Sequence, residues 1–505
     1  MRHYRAETAF FARQRIAVWH EQKGVIVKIC MIFYINKCRP LFLISVLLSI
    51  SFLLSCQAKP FSIKPALEEN GEVFLYLQPL SQEAERLKFS LKAVYAQKDD
   101  GKEIPLDLSF TGIAFGKDVR QRCLATGELP PGNYRGLSFK VKDATLTTEE
   151  GAAGLSVPEK PTPVEFPFTI RRQKASLLAM TLKYRESVIE GFRFSPSFSV
   201  SVPARPPTGL SGYVSNNDAH DVAVIDKGAG EVTGMIATGT GPHGMVIDQM
   251  RGKVYVALTG DDAIDVIDSG AGDVVGRIQL RRGDNPEELA LVPGNRTLLS
   301  TNAGSDTVSF IDAGSLLETE RVSVGQNPVS LLIDSTGSRA YVFNTLSNTI
   351  SVIDITGKTV IATLSTEPEP LRGQFNRRGD RLYVIHGRSP YLTIIDVPSL
   401  SVVRREFLGM GASSIKVDSR TDMLYIGKKF EDGVSVYDPL SFQPVDYIQT
   451  GAAVGYMTID GDENNLYLVM PEKKSLRAVN LVSRKTVFEI DFCESPYWIT
   501  VMGER

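Results

Sequence analysis

The sequence predicts an all-β protein in which a seven-bladed β-propeller is preceded by a smaller antiparallel β-sandwich domain. The first observation is an Asp that recurs after a short apolar run at intervals of 42 or 44 residues. The second is a Tyr that stands 13 residues before nearly every copy of this Asp. The third is that four short β-branched segments, separated by Gly, Asn, Asp and Ser, fill each interval. A period of this length with four short strands is typical of a propeller blade.

Three columns of residues keep one register through all seven repeats, and each column has a predicted role. The Asp side chain is expected to accept backbone N–H groups in a tight turn. The Tyr is expected to pack between blades, and the Pro is expected to begin the innermost strand, where no ladder donor is needed. The columns are Asp226, Asp268, Asp312, Asp354, Asp396, Asp438 and Asn480; Tyr213, Tyr255, Leu299, Tyr341, Tyr383, Tyr425 and Tyr467; and Pro242, Pro286, Pro328, Pro370, Ala412, Val454 and Pro496.

The two ends of the repeat array complement each other. The array begins with "SGYVSNN", which matches the second strand of a blade, and ends with "PYWITVMG", which matches a first strand. We therefore expect residues 496–503 to complete the blade that begins at Gly209. This closure removes an exposed sheet edge.

The repeats resemble a known family. The segments "GYVSNNDAHDVAVID", "KVYVALTGDDAIDVID" and "RAYVFNTLSNTISVID" are similar to the YVTN family of β-propeller repeats. The resemblance covers residues 209–505 and implies the propeller fold. The third repeat departs from it with "LLSTNAG", and the fifth and sixth lack the Pro. WD40 repeats have a similar period, but no Trp-Asp pair ends the third strand here.

The region before the propeller lacks the repeat. Segments such as "EVFLYLQPL", "LKFSLKAVYAQ" and "SLLAMTLKY" alternate with turn signals within residues 57–202. They predict the antiparallel sandwich, which is similar to the prealbumin-like or immunoglobulin-like accessory domains of bacterial surface proteins. Residues 203–208, within "PARPPTG", are interpreted as a short stiff linker to the propeller at 209–505.

The N-terminal 56 residues are typical of a secretion signal. Basic residues precede the apolar run "LFLISVLLSISFLL" at 41–54, which is short for a membrane span but suits a signal peptide. The run ends in "LLSC", which resembles a bacterial lipobox with Cys56 as the lipidated residue. The alternative is a membrane-anchor helix with an incidental cysteine. A start at Met31 would give an ordinary signal length, so the true start is predicted there.

Charge and cysteine content limit the function further. A net charge of −2 argues against a nucleic-acid-binding protein. The absence of a CxxC sequence argues against a thioredoxin-type site and against covalent haem attachment. Cys123 and Cys493 would pair only in an oxidising compartment. Because they fall in different predicted domains, the sequence favours two separate buried thiols.

Propeller sites commonly lie on the connections that lead into the innermost strands. Here these connections predict a binding rim but no catalytic residue, no metal site and no cofactor, because the columns supply too few convergent ligands. The alternative is a solvated, variable loop face in which His243 is only a hydrogen-bonded turn residue. The candidate rim residues are His243, Glu287, Glu288, Arg372 and Trp498, together with Arg281 and Arg282 from a two-residue insertion, "LRRGDN".

The leading functional hypothesis is a lipid-anchored bacterial cell-envelope protein, on the periplasmic side of a membrane or at the cell surface. Its propeller would be a scaffold that binds an unidentified envelope protein or glycan. The family resemblance implies an alternative, a periplasmic enzyme or redox protein similar to haem-d1 nitrite reductase domains, amine dehydrogenase heavy chains or lactone-cleaving enzymes. A structural surface-layer component is a third hypothesis.

Overall fold

The computed structural model describes residues 67–115, 120–149, 151–294 and 296–504. These residues lie in one compact unit, Lys64–Arg505. The predicted signal region, including Met31 and Cys56, lies outside the described residues. Among the residues described, no helix has the length and apolar character needed to cross a membrane.

The N-terminal domain consists of one ten-stranded sheet and a separate two-stranded ribbon. The strands are β1 (Gly71–Leu77), β2 (Leu87–Lys98), β3 (Glu103–Leu108), β4 (Gly112–Ala114), β5 (Arg122–Leu129), β6 (Gly132–Thr148), β7 (Gly151–Gly154), β8 (Thr162–Ile170), β9 (Ala175–Leu182), β10 (Val188–Ile189), β11 (Arg193–Phe194) and β12 (Phe198–Ser201). The order in the large sheet is β12-β9-β1-β5-β3-β2-β6-β7, with β4 paired to β2 and β8 paired to β6, and β10 and β11 form the ribbon. A short helix, α1 (Tyr184–Ser187), follows β9.

This domain is all-β as predicted, but it is a single curled mixed sheet and not an antiparallel sandwich of two sheets. Strand β3 pairs with β2 at one end and with β5 at the other, so it joins the two halves of the sheet. The halves curl around a shared apolar core to which Leu75 and Leu178 contribute from one side and Leu91 and Phe139 from the other. The sheet is mixed because β1 and β9 run parallel.

The C-terminal domain is a seven-bladed propeller, as predicted, and each blade is a four-stranded antiparallel sheet. The innermost strands begin at Pro242, Pro286, Pro328, Pro370, Ala412, Tyr456 and Trp498. Within the described ranges, four three-residue 3-10 helices lie in connections: Gln82–Ala84 in the N-terminal domain, Thr208–Leu210 just before the propeller, and Asn217–Ala219 and Pro471–Lys473 within it.

The strands of the propeller follow in chain order. Blade 1 contains β13 (Ser211–Asn216), β14 (Asp221–Asp226) and β15 (Glu231–Ala237), and blade 2 contains β16 (Pro242–Asp248), β17 (Lys253–Leu258), β18 (Ala263–Asp268) and β19 (Asp273–Gln279). Blade 3 contains β20 (Pro286–Leu291), β21 (Thr297–Asn302), β22 (Thr307–Asp312) and β23 (Leu317–Ser323), and blade 4 contains β24 (Pro328–Ile333), β25 (Arg339–Asn344), β26 (Thr349–Asp354) and β27 (Thr359–Ser365). Blade 5 contains β28 (Pro370–Phe375), β29 (Arg381–His386), β30 (Tyr391–Asp396) and β31 (Ser401–Phe407). Blade 6 contains β32 (Ala412–Val417), β33 (Leu424–Lys428), β34 (Gly433–Tyr437) and β35 (Pro444–Gln449), blade 7 contains β36 (Tyr456–Asp460), β37 (Asn465–Met470), β38 (Ser475–Asn480) and β39 (Thr486–Asp491), and β40 (Trp498–Val501) returns to blade 1.

The repeat columns have the contacts expected of them. Asp226 Oδ1 accepts the backbone N–H of Gly228 at 2.8 Å, and Asn480 Oδ1 accepts that of Ser483 at 3.0 Å. Tyr213 of blade 1 is buried in the same apolar cluster as Val254 of blade 2, so this column fills the space between blades. The innermost strands of blades 2 to 5 each begin at the Pro. The Asp and Asn side chains therefore stabilise turns and are not free for chemistry.

The C-terminal strand completes blade 1 from the inside. Strand β40 pairs antiparallel with β13, with Val214 opposite Ile499. A buried ion pair lies beside this junction, where Lys227 Nζ is 2.5 Å from Asp460 Oδ2 and 2.5 Å from the Met502 carbonyl oxygen. The end of the chain is thus tied both to the blade that it completes and to blade 7.

The N-terminal domain packs against the outer strands of blades 1 and 7. Phe74 and Leu177 share an apolar cluster with Met235 of blade 1 and Ile490 of blade 7. Arg120 binds Glu489 across the same contact at 2.6 Å. The two domains are therefore joined by an extensive apolar contact with ion pairs at its edge.

A disulfide bond also joins the domains. Cys123, on β5, is bonded to Cys493, which follows β39, and their Cα atoms are 5.2 Å apart. The prediction of two separate thiols was wrong. It assumed that cysteines in different domains stay apart, whereas domain packing brings β5 against the end of β39. Such a bond is typical of proteins from an oxidising compartment.

His386 is a buried histidine in blade 5. It lies at the blade position that Asn344 occupies in blade 4, where the amide donates to Ser351 Oγ at 3.0 Å. The His386 ring is fully buried, with Nδ1 3.1 Å from the Tyr391 carbonyl oxygen. Burial lowers the pKa of His386 to about 4. The folded state therefore keeps this ring neutral at pH values where the unfolded chain already binds a proton.

We expect His386→Asn to reduce the loss of stability in mild acid. Because the folded pKa lies below the unfolded value of about 6.5, stability is lost as the pH falls below about 6.5, by about 2 kcal/mol between pH 7 and 5 for this group. The variant lacks this contribution. Urea unfolding at pH 7 and at pH 5 measures how much free energy of unfolding each protein loses. Between about pH 7.5 and 8.5, the free energy of unfolding should change with pH to the same extent in both proteins. Equal acid sensitivity of the two proteins would refute this role.

Candidate functional site

A cavity of about 640 Å³ lies at the mouth of the central channel, where the innermost strands begin. Six of these seven strands supply a residue near their first position to its wall. The wall contains flat aromatic surfaces, aliphatic side chains and two charges of each sign. The aromatic residues are Phe430, Tyr456, Tyr497 and Trp498, and the charged residues are Glu287, Arg372, Lys429 and Glu472.

Arg372, on the wall of this cavity, extends across the channel. Its Nη1 donates to Glu288 Oε2 at 2.9 Å, which joins blade 5 to blade 3. The guanidinium carbon lies 4.6 Å from the ring centroid of Trp498 and 5.1 Å from that of Tyr456. These two rings stack on each other with centroids 3.7 Å apart. The cation is therefore held in one orientation by a carboxylate and by the face of an aromatic pair.

Burial shapes the electrostatics of this pair. Burial raises the pKa of Glu288, although Arg372 and a hydrogen bond from Ser330 act in the opposite direction. Burial also disfavours the charge on Arg372, but Glu288, Tyr456 and Tyr497 together outweigh this effect and the pKa of Arg372 is raised. The guanidinium therefore remains charged, and the Glu288 carboxyl group is protonated more easily than an exposed glutamate.

A second polar group lies beside the first. His243 Nδ1 is 2.6 Å from Glu287 Oε2, and the His243 ring stacks on Tyr497 with centroids 3.9 Å apart. Burial raises the pKa of Tyr497, so this residue is a neutral phenol near neutral pH. The stack holds Tyr497 against the wall of the cavity, where part of its ring remains exposed.

Trp498 has an unsatisfied hydrogen-bond donor. Its side chain is 4% exposed, and its Nε1 has no hydrogen-bond partner among the described residues. Most buried polar groups in proteins are paired, so such a group requires an explanation. Trp498 lines the cavity next to Arg372, but its Nε1 atom is itself buried, so a molecule in the cavity does not reach this N–H in the structure.

The structure separates the candidate rim residues into two groups. Five of the seven surround the channel mouth, whereas the insertion turns outward. Arg281 and Arg282 are exposed, and Arg281 Nε is 3.9 Å from Glu318 on the outermost strand of blade 3. Asp284 produces this turn, because it binds the Arg281 backbone and Arg321 of the same strand. The five residues at the mouth are His243, Glu287, Glu288, Arg372 and Trp498.

Several cavity residues were not predicted from the sequence. Tyr456 and Tyr497 belong to the same columns as the candidate residues, and their register was the signal that could have identified them. Phe430 is 85% exposed and lies in the β33–β34 connection "GKKFEDG", where a lone aromatic residue interrupts a polar turn. Within the described ranges, no group of three or more His, Cys, Asp or Glu side chains could hold a metal ion.

Comparisons with known proteins support the fold. No family model and no curated protein matches the chain. A hydrazine synthase structure from Kuenenia stuttgartiensis is similar, with a TM-score of 0.51 and 18% identity over 55% of this chain and 94% of that chain. The dihydro-heme d1 dehydrogenase NirN, solved in complex with DHE, matches with a TM-score of 0.48 and 13% identity over 60% of this chain and 78% of that chain. The likeness to hydrazine synthase is one of β-propeller fold.

Proposed function

We propose that this protein is a lipid-anchored component of the bacterial cell envelope whose YVTN-like propeller binds an envelope glycan at the channel mouth. The lipobox-like "LLSC" sequence supports the anchor at Cys56. The disulfide between Cys123 and Cys493 supports an extracytoplasmic location. The cavity at the channel mouth is the observation on which the proposed binding rests.

The shape of the cavity favours a glycan over a protein partner. Its volume of about 640 Å³ falls in the range of small-ligand sites, roughly 300–1,000 Å³. A stable protein partner would instead need about 800 Å² of surface on each side. A sugar ring or the end of a glycan chain fits a concave site of this size.

The chemistry of the wall suits the same ligand. Tyr497 and Phe430 offer partly exposed aromatic faces on which the apolar face of a sugar ring can lie. The Glu287 carboxylate accepts hydrogen bonds from hydroxyl groups, and Arg372 donates to ring and hydroxyl oxygens. The site therefore combines flat apolar contacts with a few fixed polar groups.

Co-sedimentation of the full-length protein, in detergent, with purified peptidoglycan sacculi tests this proposal. We expect Phe430→Ala to weaken binding about tenfold, because an aromatic side chain in a binding pocket is commonly a hot spot. Phe407→Ala is the matched control, since Phe407 is 70% exposed on an outer strand and does not line the cavity.

Two outcomes would contradict glycan binding: equal sedimentation of the Phe430→Ala variant and the parent, or a visible absorption band that reveals a bound chromophore in the purified protein.

The lipid anchor at Cys56 is tested by a separate measurement. Mass spectrometry of protein extracted from membranes should find an acylated peptide that begins at Cys56, and an unmodified residue there would refute the anchor.

A further inference from the structure

A second cavity, of about 410 Å³, lies between the N-terminal domain and the propeller. Strands β8 and β9 line one side of it, and strand β15 of blade 1 and the β18–β19 turn of blade 2 line the other. We propose that this interdomain cavity binds an amphipathic anion, a short apolar chain that ends in a carboxylate or phosphate group. The proposal is independent of glycan binding, because the cavity shares no lining residue with the one at the channel mouth.

The inner part of the cavity wall is apolar. Leu177 on β9 and Met235 and Ile236 on β15 line it, and these residues are only 5%, 7% and 4% exposed. Val202, in the connection between the domains, is 66% exposed and extends the apolar wall towards solvent. A hydrocarbon chain placed here is removed from water, and each buried methylene group should tighten binding about threefold to fourfold.

The outer part of the wall is positively charged. Arg171, Lys174 and Arg205 line the cavity, whereas Asp273 is the one acidic side chain among the described residues that line it. Asp273 is already engaged, because its Oδ1 lies 2.7 Å from Lys174 Nζ. Arg171 and Arg205 form no ion pair with any residue in the described part of the chain. Two exposed guanidinium groups therefore lack an anionic partner at the edge of the cavity.

Arg205 is held in position without being neutralised. Its Nη1 donates to the Gly270 carbonyl oxygen at 2.7 Å. The guanidinium also lies close to Gly272, where a Cβ atom would come within 3.0 Å of Arg205 Cζ. The bond to Gly270 uses one of five N–H donors, so the others are available to a ligand. Carboxylate and phosphate groups accept two parallel N–H groups of a guanidinium, which makes such a pair strong and directional.

The two parts of the wall together define the ligand and its orientation. The chain lies inward against the apolar residues, and the anionic group lies at the solvent edge beside the guanidinium groups. A neutral chain would leave the guanidinium groups without a partner, and a cationic chain would be repelled by them. The volume lies in the lower part of the range for small-ligand sites, roughly 300–1,000 Å³, which suits one short chain and not a lipid with two long chains.

Equilibrium dialysis of radiolabelled octanoate against the full-length protein, with a blank that contains the same detergent, tests the proposal. We expect saturable binding of one octanoate per chain. Hexanoate should bind about tenfold more weakly, because it lacks two methylene groups. Octanol and octylammonium, which keep the chain but lose the negative charge, should each bind at least about tenfold more weakly than octanoate. Octyl phosphate, tested beside octanoate, shows which anionic group the two guanidinium groups prefer.

The double variant Arg171→Gln with Arg205→Gln locates the binding. We expect it to bind octanoate at least about tenfold more weakly and octanol as the parent does. Both side chains are exposed, so the melting temperature should change little. Arg172→Gln is the matched control, since Arg172 is a neighbouring exposed arginine that pairs with Glu69 and does not line the cavity. This control should retain the parental affinity for octanoate.

Three results would overturn the proposal: no saturable octanoate binding beyond the detergent blank, octanol binding as tight as that of octanoate, or full octanoate affinity in the double variant. An equal loss of affinity in Arg172→Gln would also overturn it, because the effect would then reflect net charge and not this cavity. The Phe430-dependent sedimentation with sacculi is a separate measurement, so either proposal can fail while the other stands.

Discussion

Deletion of residues 494–505 is expected to abolish cooperative unfolding of the propeller. The deletion removes β40, whose Ile499 and Val501 are fully buried, together with the buried side chains of Trp498 and Met502. At about 1.5–3 kcal/mol for each side chain, the loss is about 6–12 kcal/mol, which is comparable to the whole stability of a typical domain. The deletion also leaves the inner edge of β13 unpaired.

Thermal unfolding followed by near-ultraviolet circular dichroism measures this effect. The parent should show a sharp transition and the truncated chain a broad one at much lower temperature. A synthetic peptide of residues 494–505, added in excess, should restore part of the transition, because it supplies the missing strand. A truncated protein that melts like the parent would show that β40 does not close the ring in solution.

The second large effect is expected from Lys227→Met. Lys227 and Asp460 are both almost completely buried, and Lys227 also donates to the Met502 carbonyl oxygen. The substitution leaves a buried carboxylate without its cation, which typically destabilises a protein by about 3–5 kcal/mol. Urea unfolding near neutral pH should therefore show a much lower midpoint.

Two controls identify the cause. Lys253→Met breaks the 2.7 Å ion pair between Lys253 and Asp268, whose side chains are 30% and 32% exposed. Because this pair is partly hydrated, its loss should lower the free energy of unfolding by less than about 1 kcal/mol. The double variant Lys227→Met with Asp460→Asn should recover part of the loss, because the amide is neutral. If Lys227→Met lowers the free energy of unfolding no more than Lys253→Met does, the buried ion pair does not stabilise the closure of the propeller by β40.

The propeller was predictable because each blade is defined within one repeat. The partners of Tyr341 and Asp354 lie in the same repeat or in the next, so a pattern of about 42 residues specifies them. The N-terminal domain lacked such a pattern. Alternation identified the strands, but it does not say that Phe74 pairs with Leu177, because strands far apart along the chain can be neighbours in either direction. The disulfide was missed for a related reason, since its position depends on how two domains pack.

The site was partly predictable for the same reason as the fold. Register placed Glu288, Arg372 and Trp498 in one column, and a propeller brings the members of a column to the same height in the channel. Register could not reveal that Arg372 crosses the channel, because that depends on side-chain direction. Nor could it reveal that the loop of Arg281, which shares this face, turns outward around Asp284. Phe430 belongs to no column, so the only signal for it was that a lone aromatic residue interrupts a polar turn.

The bond between Cys123 and Cys493 turns most of the protein into a covalent macrocycle. The enclosed segment, 370 residues in sequence separation, runs from β5 through the linker and all seven blades to the end of β39. A protease that cuts one exposed loop within this segment therefore opens the circle but releases no fragment. In any compartment that contains proteases, a nicked molecule would keep every blade attached, and only reduction would separate the pieces.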